Sequence, residues 1–428
     1  MTELEKTIRM PALEPKFPYM PKSEWKSRVE KAREWMEKEG IDAIMTTHEK
    51  NWIYYFGFRK PYPYNFLTVG IVPRDGPTTM VDEGLGSVNL EVTGYAENRV
   101  QYSGHPNPPT PQAAEPVELF AEVIKDLKLD KGTIGVEMGF SGGKLSSMFW
   151  DGMTLLQWER IKKALPDVKF VNATDLIWEQ RYVKSKWEQD VMRKLYRVTG
   201  KAYRKVFDMA EPGINEYDIF KEMMKIFVDG GIVDSTAWHC WQMQSQKFED
   251  GKYIIACMGF FDRELKKGDI LILDGGPSYL GYEADCQRFV AIGDPGPKIR
   301  KLAWLDEIGT MKAEEILGPG TRMGDLWTKP VEEMAKYDPE QAKLFTEKEF
   351  ITWFGHGNGL NLHEPPYIVK EEDYKLKPGM TICIEIPTMD CENGLHLANM
   401  PENVYLITET GFENITEELG PYGLWIKK

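Results

Sequence analysis

Histidine is scarce in this chain, with six among 428 residues. Cysteine is scarcer still: five, an odd number, with no CxxC pair among Cys240, Cys257, Cys286, Cys383 and Cys391. Free thiols in a reducing cytoplasm fit that usage better than a disulfide framework. No apolar run approaches the roughly 20 residues of a membrane span. The opening MTELEKTIRMPALEPKF has no apolar stretch of the signal-peptide kind. An excess of positive charge is also missing: 53 basic against 67 acidic residues leave a net charge of −14. With no basic cluster to offset it, nucleic acid and anionic membrane are excluded as partners. Short-period repeats and low-complexity tracts are absent too.

What remains is the composition of an ordinary globular protein, 42% hydrophobic and 28% charged, long enough for two domains. Residues 1–183 alternate helix and strand patterns. Ser23 can cap a helix with Trp25, Val29, Ala32 and Trp35/Met36 on one face, ended by Gly40. IDAIMTT, NWIYYFGF, FLTVGIV, GTIGVEM and VKFVNA read as strands, and Glu115 to Leu127 as a helix. The Pro-rich stretch His105 to Pro116 reads as a surface connector. After the loop at Lys184, residues 184–428 open with a long helix carrying Trp187, Val191, Leu195, Val198 and Ala202 on one face. Two more helical patterns, EYDIFKEMMKIFVDGG and KIRKLAWLDEIGTMKAEEILGPG, are interleaved with strands. The expected class is α/β (α+β) in two domains.

Three stretches of the second block carry chemistry. In GDILILDGGPSYLGYEADCQRFVAIG two apolar runs flank a turn. A turn centred near Tyr279 and Leu280 sets Asp274 opposite Asp285, with Cβ atoms roughly 5 Å apart, where two like charges destabilise a sheet. A divalent cation between them removes the repulsion. In WFGHGNGLNLHEPPYI, two of the six histidines, His356 and His363, lie seven residues apart in a glycine-rich segment. The two prolines rule out a helical zinc motif here. In GMTICIEIPTMD, Ile382, Ile384 and Ile386 fall on one face, and Thr381, Cys383 and Glu385 on the other. A glutamate inside so apolar a strand is costly unless it is paired or coordinated. Glu402 opens the next strand, VYLIT. Four carboxylates and one imidazole suit manganese, cobalt, ferrous iron or zinc rather than calcium. Two such ions sharing a water are equipped to hydrolyse an amide.

The order Asp274, Asp285, His356, Glu385, Glu402, within KKGDILILDGG, GYEADCQRF, GHGNGLNLHEPP, KPGMTICIEIP and PENVYLITETGFENIT, resembles the methionine aminopeptidase/prolidase/creatinase superfamily. RYVKSKWEQDVMRKL is similar to the segment opening that family's catalytic domain. The preceding block looks like the N-terminal domain of its Xaa-Pro peptidase/creatinase branch. The resemblance implies a pita-bread catalytic domain and a dinuclear site using a metal-bridging hydroxide. Asp274 would bind one ion, Asp285 and Glu402 would bridge, His356 would complete one site, and Glu385 would ligate and shuttle a proton. His363 would steady the substrate carbonyl, with the glycines clearing room for substrate. It also implies a homodimer, with the aromatic loop Phe58 to Phe66 as the candidate reach toward a partner's pocket.

The departures from that pattern concern substrate contacts. The histidine that peptidases of the family carry about twenty residues before the first Asp is missing, and His239 is the candidate for its role. Met400 stands where prolidase-like members carry Arg, while Arg288 is kept. Trp238, Trp241 and Trp353 could line a small pocket beside Arg288 and His363, suited to a cation. The expected substrate is therefore a short peptide or a small molecule. The activity is Xaa-Pro peptidase-like or, alternatively, that of a non-peptidase member: creatinase- or ectoine-hydrolase-like C–N hydrolysis, or dimethylsulfoniopropionate-lyase-like elimination. A non-catalytic binding role is the third possibility, against which the intact ligand set speaks.

Overall fold

The computed structural model describes residues 8–11, 15–59, 67–102, 117–139, 153–232, 238–247, 253–257, 262–346, 353–390 and 395–427. The chain divides into two compact units, Met1–Gln180 and Arg181–Lys428. The expected boundary at 183/184 falls three residues later. His105–Pro116 and residues 60–66 of the aromatic loop lie outside the described residues.

The first unit runs β1 (Ile8–Pro11), α1 (Lys22–Glu39), β2 (Ala43–Thr46), α2 (Glu49–Phe56), β3 (Val69–Pro73), β4 (Thr79–Glu83), α3 (Gly84–Thr93), β5 (Asn98–Tyr102), α4 (Val117–Asp126), β6 (Thr133–Val136), α5 (Leu155–Ala164) and β7 (Lys169–Asn172). α6 (Thr174–Tyr182) crosses into the second unit. The strands form one mixed sheet in the order β1-β5-β4-β3-β2-β6-β7. Two expectations fail here. The helix α1 begins before Ser23, with Pro21 at its N-cap and no capping side chain, although Gly40 does end it in the left-handed region. NWIYYFGF is helix rather than strand. His48 accepts from the Lys50 N–H at its start, and Gly57 closes its end. Every residue from Asn51 to Phe56 is buried, so the segment is apolar all round and has no period to betray it. Aromatic β-propensity yields to tertiary burial.

The second unit runs α7 (Lys186–Met209), α8 (Glu216–Asp229), β8 (Trp238–Lys247), β9 (Tyr253–Cys257), β10 (Ile270–Tyr279), β11 (Tyr282–Glu283), β12 (Gln287–Ile292), α9 (Pro297–Ile316), α10 (Asp325–Met334), α11 (Pro339–Thr346), β13 (Trp353–Gly357), β14 (Glu364–Val369), β15 (Thr381–Ile384), β16 (Thr388–Asp390), β17 (Leu395–Asn399), β18 (Asn403–Ile407), β19 (Phe412–Asn414) and β20 (Leu424–Lys427). The helix α7 starts with a reciprocal cap between Ser185 and Glu188 and buries Val191, Leu195, Val198 and Ala202, as its spacing demands. One sheet is ordered β20-β12-β10-β8-β9, with β11 paired to β10; a second is ordered β14-β13-β15-β18-β19. Ile382, Ile384 and Ile386 pack with Leu305, Leu326, Trp327 and Phe345 of the helical layer. That burial roots the second sheet and leaves its other face for the polar residues. An isolated bridge between Gln287 and Glu402 joins the two sheets.

Candidate functional site

The hairpin comes first. Tyr279 pairs with Tyr282, so the turn residues are Leu280 and Gly281, at φ +53° and +88°. Two left-handed residues are what a tight hairpin turn requires. The turn lies one residue further along than expected, and the register moves with it: Asp274 faces Gln287, not Asp285. Asp285 precedes that partner by two residues, which keeps it on the same face as a diagonal neighbour. Gln287 in turn accepts from the Glu402 N–H at 3.0 Å. One residue thus ties Asp274 and Glu402 to the joint between the sheets.

His356 sits mid-strand in β13, with Tyr367 of β14 on one side and Cys383 of β15 on the other. Its Nδ1 lies 2.8 Å from the Gly357 carbonyl. A carbonyl only accepts, so Nδ1 carries the proton and the Nε2 lone pair points inward. Burial and the neighbouring His363 pull the imidazole down to about 3, so it is neutral. Around Nε2 stand Glu385 Oε1 at 3.1 Å, Asp285 Oδ2 at 3.5 Å and Glu402 Oε1 at 3.9 Å. The His356, Glu385 and Glu402 atoms are buried without a hydrogen-bond partner, and Asp285 Oδ2 meets the His363 ring nitrogen. Four lone pairs converging in low dielectric are unfavourable unless a cation sits among them. The carboxylates register the strain. Burial, then Asp285, Glu385 and Asp274, push Glu402 well up. Burial, Asp285 and Glu385 do the same to Asp274. Burial pushes Glu385 up to about 7, against the pull of His363. The donor set, one imidazole and several carboxylates, fits a divalent transition ion.

His363 points its Nε2 at Asp285 Oδ2, 3.3 Å away, with 18% of its side chain exposed. Burial lowers its affinity for a proton, but the bond to Asp285 and the surrounding carboxylates more than offset that and raise it. Trp353, half-buried, lies 5.5 Å from the His363 ring and 5.6 Å from His356. The expected neighbours therefore assemble: Asp274, Asp285, His356, His363, Glu385, Glu402 and Trp353.

Two readings are corrected. Arg288, expected to touch substrate, is 1% exposed. It donates to the carbonyls of Gln287 (2.8 Å) and Glu402 (2.7 Å) and to Asn403 Oδ1 (2.7 Å). It props the backbone behind Glu402. The glycines, expected to clear room for substrate, clear it for the protein itself. At Gly355 a Cβ would strike the Cys383 carbonyl of the adjoining strand, and at Gly359 it would meet Glu364 Oε2 at 2.8 Å. For Trp238, His239 and Trp241 only the backbone is described: they are the β-register partners of Pro277, Gly276 and Asp274.

Several residues escaped the sequence reading. The Tyr196 hydroxyl donates to Asn358 Oδ1 at 2.7 Å and accepts from the Asp285 N–H at 3.0 Å, coupling α7 to both motifs. Arg181 and Lys184 clamp Glu364, the residue after His363. Cys383 lies among the ligand atoms. Only Cys383 left a trace in the sequence, through its strand parity with Glu385; the others meet across 89 residues or more.

The model of metallopeptidase family M24 matches residues 190–409, and that of the creatinase/prolidase N-terminal domain matches residues 28–183. A probable dipeptidase PepE of Mycobacterium tuberculosis is 29% identical over 255 residues, covering 59% of this chain and 64% of that protein. The chain thus spans less than two thirds of that relative. A creatinase of Bacillus sp. is 25% identical over 452 residues, covering 100% of this chain and 99% of the relative. A solved prolidase from Thermococcus sibiricus superposes with a TM-score of 0.75 at 20% identity, over 94% of this chain and 99% of its own. That likeness shows the fold, an N-terminal α/β domain followed along the chain by a pita-bread domain. The protein belongs to metallopeptidase family M24, in the branch that carries a creatinase/prolidase N-terminal domain.

Proposed function

We propose that this protein is a metal-dependent hydrolase of a peptide or small amide C–N bond, with Xaa-Pro dipeptides as the first substrate class to try. One observation carries the reading: a neutral, buried His356 Nε2 faces three carboxylate oxygens within 3.9 Å. Asp274, Asp285, His356, Glu385 and Glu402 would hold two divalent ions, with manganese, cobalt, iron and zinc all compatible with the set. Bound there, such ions would lower the pKa of a water and withdraw charge from an amide carbonyl. The chain's own residues do the rest. Glu385 takes the proton of the attacking water and returns it to the departing nitrogen. His363, oriented by Asp285, donates to the substrate carbonyl oxygen. Trp353, 5.5 Å from the His363 ring, would flank the substrate. We further propose that it works in the cytoplasm as a homodimer, with its catalytic domain beginning at residue 184.

A second reading keeps the same centre for a small non-peptide substrate. The commitment of Arg288 to three protein oxygens favours it, as does Met400, packed into an apolar cluster where prolidase-like members carry Arg. A peptide's carboxylate then has one cationic receiver fewer. Elimination, as in a lyase, would use the same carboxylates to remove an α-proton.

The deciding assay compares metal-loaded protein on Xaa-Pro dipeptides, on creatine-like amidines and on small sulfonium or betaine compounds. Turnover of any class that disappears in Asp285→Asn, with folding intact, supports a catalytic centre. Turnover that survives the substitution, or none in any class, removes it.

A further inference from the structure

We propose that Cys383 supplies a sulfur ligand to the metal centre and biases it toward thiophilic ions; the inference rests on the metal-site reading above and deepens it. Cys383 is fully buried on β15. It is the cross-strand partner of His356, two residues before Glu385 and so of the same strand parity. Ligand atoms of Asp285, His356, Cys383 and Glu402 all lie within 4.8 Å of one another. Bonds of about 2.3 Å to sulfur and 2.0–2.2 Å to nitrogen or oxygen place opposed ligands of one ion roughly 4.4 Å apart. The four atoms thus have about the spread of ligands around a single ion.

Two further observations point the same way. His356 Nε2 and Glu402 Oε1 are buried without a hydrogen-bond partner. The Cys383 sulfur also lies within 4.8 Å of the Glu402 carboxylate it would join. The other cysteine whose side chain is described differs: the Cys286 sulfur donates to the Gly275 carbonyl at 3.5 Å and is accounted for by that bond. On ligation the S–H bond breaks, the sulfur lone pair binds the ion, and one proton leaves to solvent.

The test uses the whole chain, stripped of metal and loaded with cobalt(II) without oxygen. Wild type is expected to show visible d–d bands together with a near-ultraviolet sulfur-to-cobalt charge-transfer band. Cys383→Ser should keep the d–d bands and lose the near-ultraviolet band, whereas Cys286→Ser keeps both. In competition, the preference for cadmium over manganese should fall by about tenfold or more in Cys383→Ser. Visible bands without the charge-transfer band in wild type overturn the assignment while leaving the metal site standing. So does a band that survives Cys383→Ser. If wild type shows neither feature, the metal site itself fails and the sulfur ligand with it.

Discussion

Replacing Glu364 by Gln tests how the segment between the two histidines is held. Glu364 is 1% exposed, and the side chains of Arg181 and Lys184 are 2% and 3% exposed. Arg181 Nη2 and the Asn361 N–H (3.1 Å) meet one carboxylate oxygen, and Lys184 Nζ meets the other at 3.1 Å. Burial alone would raise the carboxyl's pKa, but Lys184 and Arg181 outweigh it and hold it below the usual range. Glutamine keeps the shape and removes the charge that Arg181 and Lys184 share. Breaking a buried pair on one side costs about 3–5 kcal/mol. With a urea slope of about 3 kcal/mol per molar, the metal-free protein should unfold about 1–2 M earlier, followed by tryptophan fluorescence. Because the folded pKa is depressed, the charge stabilises fully above the unfolded value near pH 4.3 and is lost as pH falls through the folded one. The gap between wild type and Glu364→Gln should therefore close as pH falls below about 4. The triple change Arg181→Met, Lys184→Met, Glu364→Leu should recover most of the loss. A midpoint shift below about 0.3 M at pH 7, or a gap that widens in acid, refutes the reasoning.

Other outcomes follow from the same geometry. Asp285→Asn relieves repulsion, so the metal-free variant should melt higher than wild type, yet show no thermal shift with manganese; a preserved shift contradicts its role as a ligand. Chelation of wild type should lower its melting temperature, and restoring a metal to about 100 times its Kd should return about 2.7 kcal/mol, read by calorimetry. Tyr196→Phe strands Asn358 Oδ1 and the Asp285 N–H, at a cost of about 1–3 kcal/mol, measurable by denaturation. Gly359→Ala sets a methyl 2.8 Å from Glu364 Oε2 and 3.0 Å from Lys184 Cε. Overpacking of this kind costs about 1–3 kcal/mol, and kcat should drop more than KM changes as His363 shifts.

Composition, strand parity and the order of acidic and histidine residues were enough for the class, the two-block organisation and the residues to look for at the site. Each of those signals is local. A strand shows its period within a few residues, and the His356 and Glu385 motifs carry their own flanks. What needed the folded chain was everything set by register or by contact between distant segments. A turn displaced by one residue gave Asp274 the partner Gln287. Burial on all sides made NWIYYFGF a helix. Close approach of β15 filled the space that Gly355 leaves, and the backbone behind Glu402 claimed Arg288. The pairing of Arg181 and Lys184 with Glu364 joins residues 180 or more positions apart, and no periodicity in a linear chain encodes such a meeting. Side-chain alternation marks which face a residue takes; only packing selects what it meets there.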